Sequence, residues 1–392
     1  MSAKVTFFPV ANGDMTLIIL NDTNETSILI DVNIRCAADD PEDDTCDVAN
    51  QLRTRLKTDD KGRPYVDVFV LSHPDQDHCS GLQKHFHLGK LDDYKYEPPE
   101  GEELKIVIRE IWSSPMVYRR ASTNHTLTDD AKAFNTEAKR RANLYKEKVG
   151  VGITDGDRIL IIGEDESPDK TKGLEGILYK QGDTITRING TYNSMASMRV
   201  LGPFPKDADE EEEKSLQKNH SSVIIQYHIA SDAAHPDACI FLTGGDAEVA
   251  IWKKLWSKYK NNTDDLKYDL LLAPHHCSWH ALSFDSRSKV ADPKVDADAK
   301  SALSQANFGA YIMSSSKAIK DDDTDPPCHA AKKEYLTISK NFKCTGEYPN
   351  TTTTHEPFEF IIAADGPQPP GNKKASVAAA AVSMAREPLS HG

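Results

Sequence analysis

The run VFVLSHPDQDHCSGL, Val68 to Leu82, sets two imidazoles and two carboxylates within six positions: His73, Asp75, Asp77 and His78. Gathered away from water without a cation, the carboxylates repel one another and all four groups lose solvation. They are also the donors that divalent metals prefer. Val66, Val68, Phe69, Val70 and Leu71 just upstream read as a buried β-strand. Side chains alternate faces along an extended chain, so His73, Asp75 and Asp77 converge on one side, and His78 joins them where the backbone turns. The plain alternative is a polar strand-end loop. The residue types and spacing favour half of a two-metal site.

Three other strand ends carry an acid or an imidazole: Asp31 after ILI, Asp246 after IFLTGG, and His275-His276 after DLLLAP. Each alone has an ordinary reading, a turn-forming aspartate or a satisfied core histidine. Beside His73–His78 they form a series of one kind.

The elements that must position these groups can be read in turn. KVTFFPV, MTLIILND and TSILIDV form an antiparallel meander, with turns at Ala11-Asn12-Gly13-Asp14 and Asn21-Asp22-Thr23-Asn24. A helix is expected over 47–57, then the motif strand 66–71, a strand over 104–112 and a polar helix over 128–148. Residues 164–176 read as loop and Asp209–Glu213 as a solvated connector. SSVIIQYHIA and ACIFLTGGD make a second hairpin, followed by the amphipathic helix AEVAIWKKLWSKY and the strand YDLLLAPHH. Residues 285–300 read as loop, FGAYIMSSS as strand, AAKKEYLTISK as helix and FEFIIAA as a last strand. The Pro- and Ala-rich segment 364–392 is expected to be a flexible tail.

The chain has 392 residues, enough for a large core, and 38% hydrophobic with 28% charged residues describes a globular protein. A net charge of -14 argues against electrostatic coating of nucleic acid. No run reaches membrane-spanning length and the start of the chain lacks a signal-peptide pattern, so a cytoplasmic protein without membrane attachment is expected. Seven cysteines at irregular spacing, with no C-x-x-C pair, read as free thiols.

In their order and strand context, VTFFPVANGDMTLIIL, ILIDVN, LSHPDQDHCSGL, EIWSSP, NHSSVIIQY, IFLTGGDAE and LLLAPHHCSWH resemble the metallo-β-lactamase fold, specifically the soluble hydrolase domain of ComEC-type DNA-uptake proteins. That branch has an aspartate where the usual H-x-H-x-D-H carries its second histidine, as in His73-Pro-Asp75-Gln-Asp77-His78. The resemblance covers residues 1–363. It implies an α/β, four-layer αββα sandwich with insertions about 90–150 and 164–218, and two divalent ions, Zn²⁺ or Mn²⁺, at one edge. It further implies that His73 and Asp75 hold the first metal and Asp77 and His78 the second. Asp246 would bridge them, His275 or His276 would complete the second site, and Asp31 would fix a ligand imidazole from behind. Three features depart from the pattern. Only Asn219 and His220 occupy the place of the third, histidine-bearing motif. LTGGD has one glycine more than T-G-D. Cys277 stands where the family has glycine, either as a small buried residue or as a thiolate near the metals.

Such a pair of ions would activate a shared water and neutralise charge developing on a phosphoryl or carbonyl oxygen. The expected activity is therefore hydrolysis, with a phosphodiester in a nucleic acid or nucleotide as substrate. An ester, thioester or lactam is the alternative within enzymes, and a metal-stabilised interaction module with a protein partner the alternative outside them. Asp77 is the catalytic candidate in the motif, and His280 and His329 are candidate proton donors. Arg119, Arg120, Arg140 and Arg141 are candidate phosphate contacts, although the plain reading of the 128–148 basic cluster is a solvated helix face.

Overall fold

The computed structural model describes residues 2–40, 42–98, 103–121, 126–165, 170–207, 209–349 and 355–371. The part of the expected tail beyond residue 371, and residues 166–169 of the expected loop, lie outside the described residues. Two mixed sheets organise the chain. The first, of 11 strands, runs Leu178–Tyr179, Arg158–Ile162, Ile106–Ser113, Pro64–Val70, Ser27–Ile30, Thr16–Ile19, Ala3–Phe7, Phe358–Ala363 and Gly366–Gln368, with two short strands paired off this path. The second, of 7, runs Thr184–Ile185, Ala196–Gly202, Ile224–Ile229, Cys239–Thr243, Tyr268–Leu272, Ala306–Ser314 and Asn341–Cys344.

Strand alternation sorts the core into layers. Ile28 and Ile30 face inward with Phe241, Leu270 and Leu272 of the second sheet, and Phe7 meets Phe241 edge-on at 5.6 Å. Leu29 and Phe69 face outward, where Phe134 of the helix Asp129–Lys148 packs at 5.6 Å from Phe69. Leu242 and Leu271 face outward from the second sheet onto Trp252 and Leu255 of the helix Val249–Tyr259. The order of layers is helices, sheet, sheet, helices. Among the described residues no helix is long and apolar enough to cross a membrane.

The antiparallel meander, the motif strand, the helix over 128–148 and the second hairpin form where the pattern predicts. Other segments differ. The acidic run is the start of a helix, Glu210–Ser215, because Asp209 caps it through the Glu211 and Glu212 N–H groups and carboxylates suit a helix N-terminus. Within 285–300 the helix Ala297–Leu303 begins, capped by Asp296. The strand expected over 104–112 does form, as Ile106–Ser113, and lies well inside the first sheet, paired parallel to Pro64–Val70. Strands Arg158–Ile162, Ala196–Gly202 and Asn341–Cys344 were not foreseen. Gly366–Gln368 pairs with Phe358–Ala363, so the sheet runs past residue 363 into the expected tail.

One buried acid in this frame is set against charge. Glu110 accepts from Trp112 Nε1 at 2.7 Å, and burial pushes its carboxyl from 4.5 up to about 7. The folded state thus holds a proton that the unfolded chain releases at lower pH. Glu110 favours folding fully below 4.5, and that contribution is lost as pH rises through 7. Glu110→Gln is expected to flatten the slope, removing a pH-dependent difference on the order of 3 kcal/mol between pH 4.5 and 8. Urea unfolding of both proteins across that range measures it, and parallel profiles would contradict it.

Candidate metal centre

Register aligns the strand ends that carry the chemistry. Ser27–Ile30 lies parallel to Pro64–Val70 with Ile30 opposite Val70, which sets Asp31 beside Ser72. In the second sheet Phe241 pairs with Leu270 and Leu242 with Leu271, so the loops bearing Asp246 and His275-His276 leave the same edge. Carboxyl ends of parallel strands are where open α/β sheets place their ligand sites.

Two groups of donors meet at Asp246. Its Oδ1 lies 3.1 Å from His78 Nε2 and 3.4 Å from His276 Nε2, and those two nitrogens face each other at 3.3 Å. Asp77 Oδ2 approaches His276 Nε2 at 3.2 Å and is the open corner of the set, its side chain 38% exposed. The other oxygen, Oδ2, lies 3.6 Å from His73 Nε2 and 3.5 Å from His275 Nε2, and His73 Nε2 is 3.5 Å from Asp75 Oδ2. The buried residues Asp14, His78, Asp246 and His276 could hold a metal ion, and His73, Asp75 and Asp246 form a second set of the same kind.

The donor atoms fit an ion better than they fit one another. Among the described residues, Asp246 Oδ1 and His73 Nε2 are buried without a hydrogen-bond partner, despite neighbours at 3.1 and 3.5 Å. Atoms aimed at a common centre behave this way. Four donors at zinc distances of roughly 2.0–2.1 Å stand about 3.3 Å apart in a tetrahedron, and the spacings around His276 Nε2 match that edge.

Asp31 orients the imidazoles. It accepts the Ser72 N–H at 2.7 Å and the Ser72 hydroxyl at 2.5 Å, and its Oδ2 stands 2.8 Å from His78 Nδ1. Ser72 Oγ in turn lies 3.1 Å from His73 Nδ1. With both Nδ1 atoms donating into this network, both Nε2 atoms are left to accept an ion. Asp31 is itself in the left-handed region, φ 55, which asparagine also tolerates. Asp31→Asn is therefore expected to keep the fold while lowering ion affinity about 10–100-fold, read by competition with a chelating dye. Unchanged affinity would remove the orienting role.

Electrostatics couples these groups. Burial opposes charge on His73 and His276, yet Asp246 and the nearby Asp75, Asp14 and Asp77 hold them up at about 9 and about 10. Burial likewise opposes ionisation of Asp246, but the four surrounding imidazoles hold its carboxyl well below the usual range. An ion entering here displaces protons.

The histidine pair sits on an unusual backbone. His275, His276 and Cys277 are all left-handed, with φ of 53, 53 and 67, a conformation costing roughly 1–2 kcal/mol per ordinary residue. The turn is held by the His275 N–H donating to Gly245 O at 3.0 Å and the Cys328 N–H donating to Cys277 O at 2.9 Å. It sends the two rings to different oxygens of Asp246, so both histidines meet it. The extra glycine has a local reason: a Cβ on Gly245, at φ +49, would stand 2.7 Å from Ser72 Oγ. Cys277 is fully buried, and burial pushes its thiol up, as suits a packed residue rather than a thiolate.

Other expected site residues lie elsewhere. His220 Nδ1 accepts the Gln217 N–H at 3.0 Å, closing the turn Lys218–Ser221, and its Nε2 is 3.6 Å from Glu248. Asn219 Nδ2 donates to Glu248 Oε1 at 3.0 Å. Among the described residues neither His280 nor His329 has a hydrogen bond or ion pair to the cluster, and His329 pairs with Asp321 at 2.5 Å. The arginines are engaged internally. Arg119 binds Asp165 at 2.7 Å, Arg120 binds Glu213 at 2.8 Å, and Arg140 binds Glu137 and Asp157, each at 2.7 Å. Arg141, 1% exposed, binds Glu137 at 2.7 Å and the Arg158 and Ile108 carbonyls.

Three residues at the centre were not foreseen. Asp14, read as part of a turn, lies behind the rings, its Oδ1 3.3 Å from His276 Nδ1. Glu248 approaches His275 Nδ1 at 3.8 Å. Lys218 pairs with Asp75. An acid flanked by the buried segments FFPV and MTLIIL was the available signal for Asp14; for Lys218 there was none.

No protein-family model matches the chain, and no curated protein matches it by sequence. Mixed sheets around a buried Asp/His cluster are compatible with a metalloenzyme fold.

Proposed function

We propose that the protein is a divalent-metal hydrolase of metallo-β-lactamase type that cleaves phosphodiesters in nucleic acid or nucleotides. The observation that carries this reading is Asp246, whose two oxygens each face a different set of imidazole and carboxylate donors. His78, His276, Asp246 and Asp77 would hold an ion, of which Zn²⁺ and Mn²⁺ suit the donors. When bound, the ion supplies a Lewis acid that polarises a phosphoryl oxygen and acidifies water. Asp31 and Ser72 keep the imidazoles aimed, and the exposed edge at Asp77 is where substrate reaches the centre. Net charge of -14 and arginines engaged by internal carboxylates favour a short or single-stranded substrate over a long duplex.

Metal content per chain, measured beside hydrolysis of bis(p-nitrophenyl) phosphate and a single-stranded oligonucleotide with added Mn²⁺ or Zn²⁺, tests the proposal. The expected result is bound metal and ion-dependent cleavage of both. Turnover of a thioester, carboxylic ester or lactam alone would move the substrate class. Bound metal with no turnover of any of them would favour the interaction module.

A further inference from the structure

The two donor sets around Asp246 are not equivalent: a cation of the chain already stands on the second. Lys218 Nζ lies 2.5 Å from Asp75 Oδ2, the oxygen that faces His73 Nε2 at 3.5 Å. The lysine is held there by its backbone. It opens the turn Lys218–Ser221, closed by the reciprocal contacts of Gln217 and His220, and the Val223 N–H just beyond donates to Ser72 O at 2.9 Å. That bond ties the turn to the segment that carries His73. The Lys218 side chain is 24% exposed and the Asp75 side chain 10%.

The second set is also the looser one. Its spacings to Asp246 Oδ2 are 3.5 and 3.6 Å, against 3.1 and 3.4 Å at Oδ1. The histidine that would complete it, His220, spends Nδ1 on the cap. A divalent ion bound to Asp75 Oδ2 would lie against a like charge already in place.

We propose that the chain holds one divalent ion, in the set formed by His78, His276, Asp246 and Asp77, and that the Lys218 ammonium stands in the second set in place of another ion. This rests on the metal-centre reading above and fixes its stoichiometry. Lys218 then provides a positive charge beside Asp75, the chemistry that binds an anionic phosphoryl oxygen.

Metal analysis of the full chain after dialysis against Mn²⁺ or Zn²⁺ and desalting tests it. The wild type is expected to retain one ion per chain, Lys218→Arg one and Lys218→Met two. Two ions in the wild type, a result independent of how any variant folds, would overturn the proposal and leave the metal centre standing. One ion in Lys218→Met would do the same. No ion in any of the three proteins would remove the metal centre itself.

Discussion

Asp246→Asn is expected to leave the chain without bound ion and to reduce phosphodiester hydrolysis to background. Asp246 is shared by both donor sets, with Oδ1 among His78 and His276 and Oδ2 among His73 and His275. An amide offers one oxygen and no net charge, and its NH₂ would face the opposite set, where it cannot ligate. The loss should exceed the about 10–100-fold in affinity typical of a residue behind the ligands, and so exceed that of Asp31→Asn. The substitution also lifts the restraint on the imidazoles. Without the carboxylate, His73 and His276 lose the strongest of the acids that hold them charged, and their pKa values fall from about 9 and about 10. Metal analysis and turnover on one preparation, with circular dichroism to confirm folding, check the prediction. Wild-type metal content in this variant would take away the observation on which the proposed function rests.

What could be read in advance was local. His73, Asp75, Asp77, His78, Asp246 and the histidine pair announced themselves because residue type and position at a strand end lie in the same short stretch. Which oxygen of Asp246 each histidine meets was not legible, because it depends on three consecutive left-handed residues that no periodicity encodes. Asp14 looked like any turn aspartate; its place behind His276 follows from how the loop closes against Asp77, whose carbonyl accepts the Asp14 N–H at 3.2 Å. Lys218 was one polar residue among several, and its approach to Asp75 depends on long-range contacts of its turn such as the bond from Val223 to Ser72. The acidic run failed as a connector for a reason visible in retrospect, since Asp209 followed by carboxylates is a helix start. The basic helix forms where it was expected, with Lys139 and Lys148 exposed, but Arg140 and Arg141 turn to internal carboxylates. Glu137, three and four residues before Arg140 and Arg141, was the overlooked signal.

That glutamate gives the other large effect. Glu137→Gln is expected to lower unfolding free energy by about 3–5 kcal/mol, the usual result of breaking a buried ion pair from one side, while metal content stays at the wild-type value. Glu137 Oε1 accepts from both Arg140 and Arg141 at 2.7 Å, and these guanidiniums hold its carboxyl below the ordinary range although burial pushes the other way. Arg140 would retain Asp157 at 2.7 Å. Arg141 would keep hydrogen bonds to neutral acceptors, the carbonyls of Arg158 at 3.0 Å, Ile108 at 3.1 Å and Arg109 at 3.4 Å and the amide oxygen that replaces the carboxylate, which satisfy N–H groups without neutralising the charge. Replacing both members, Glu137→Leu with Arg141→Met, should recover most of the loss, because the cost lies in the stranded cation rather than in the missing pair. Urea denaturation of the single and double variants measures both numbers. A single-variant loss below about 1 kcal/mol, the range of a surface pair, would mean that this arginine pair does not hold the helix Asp129–Lys148 to its sheet.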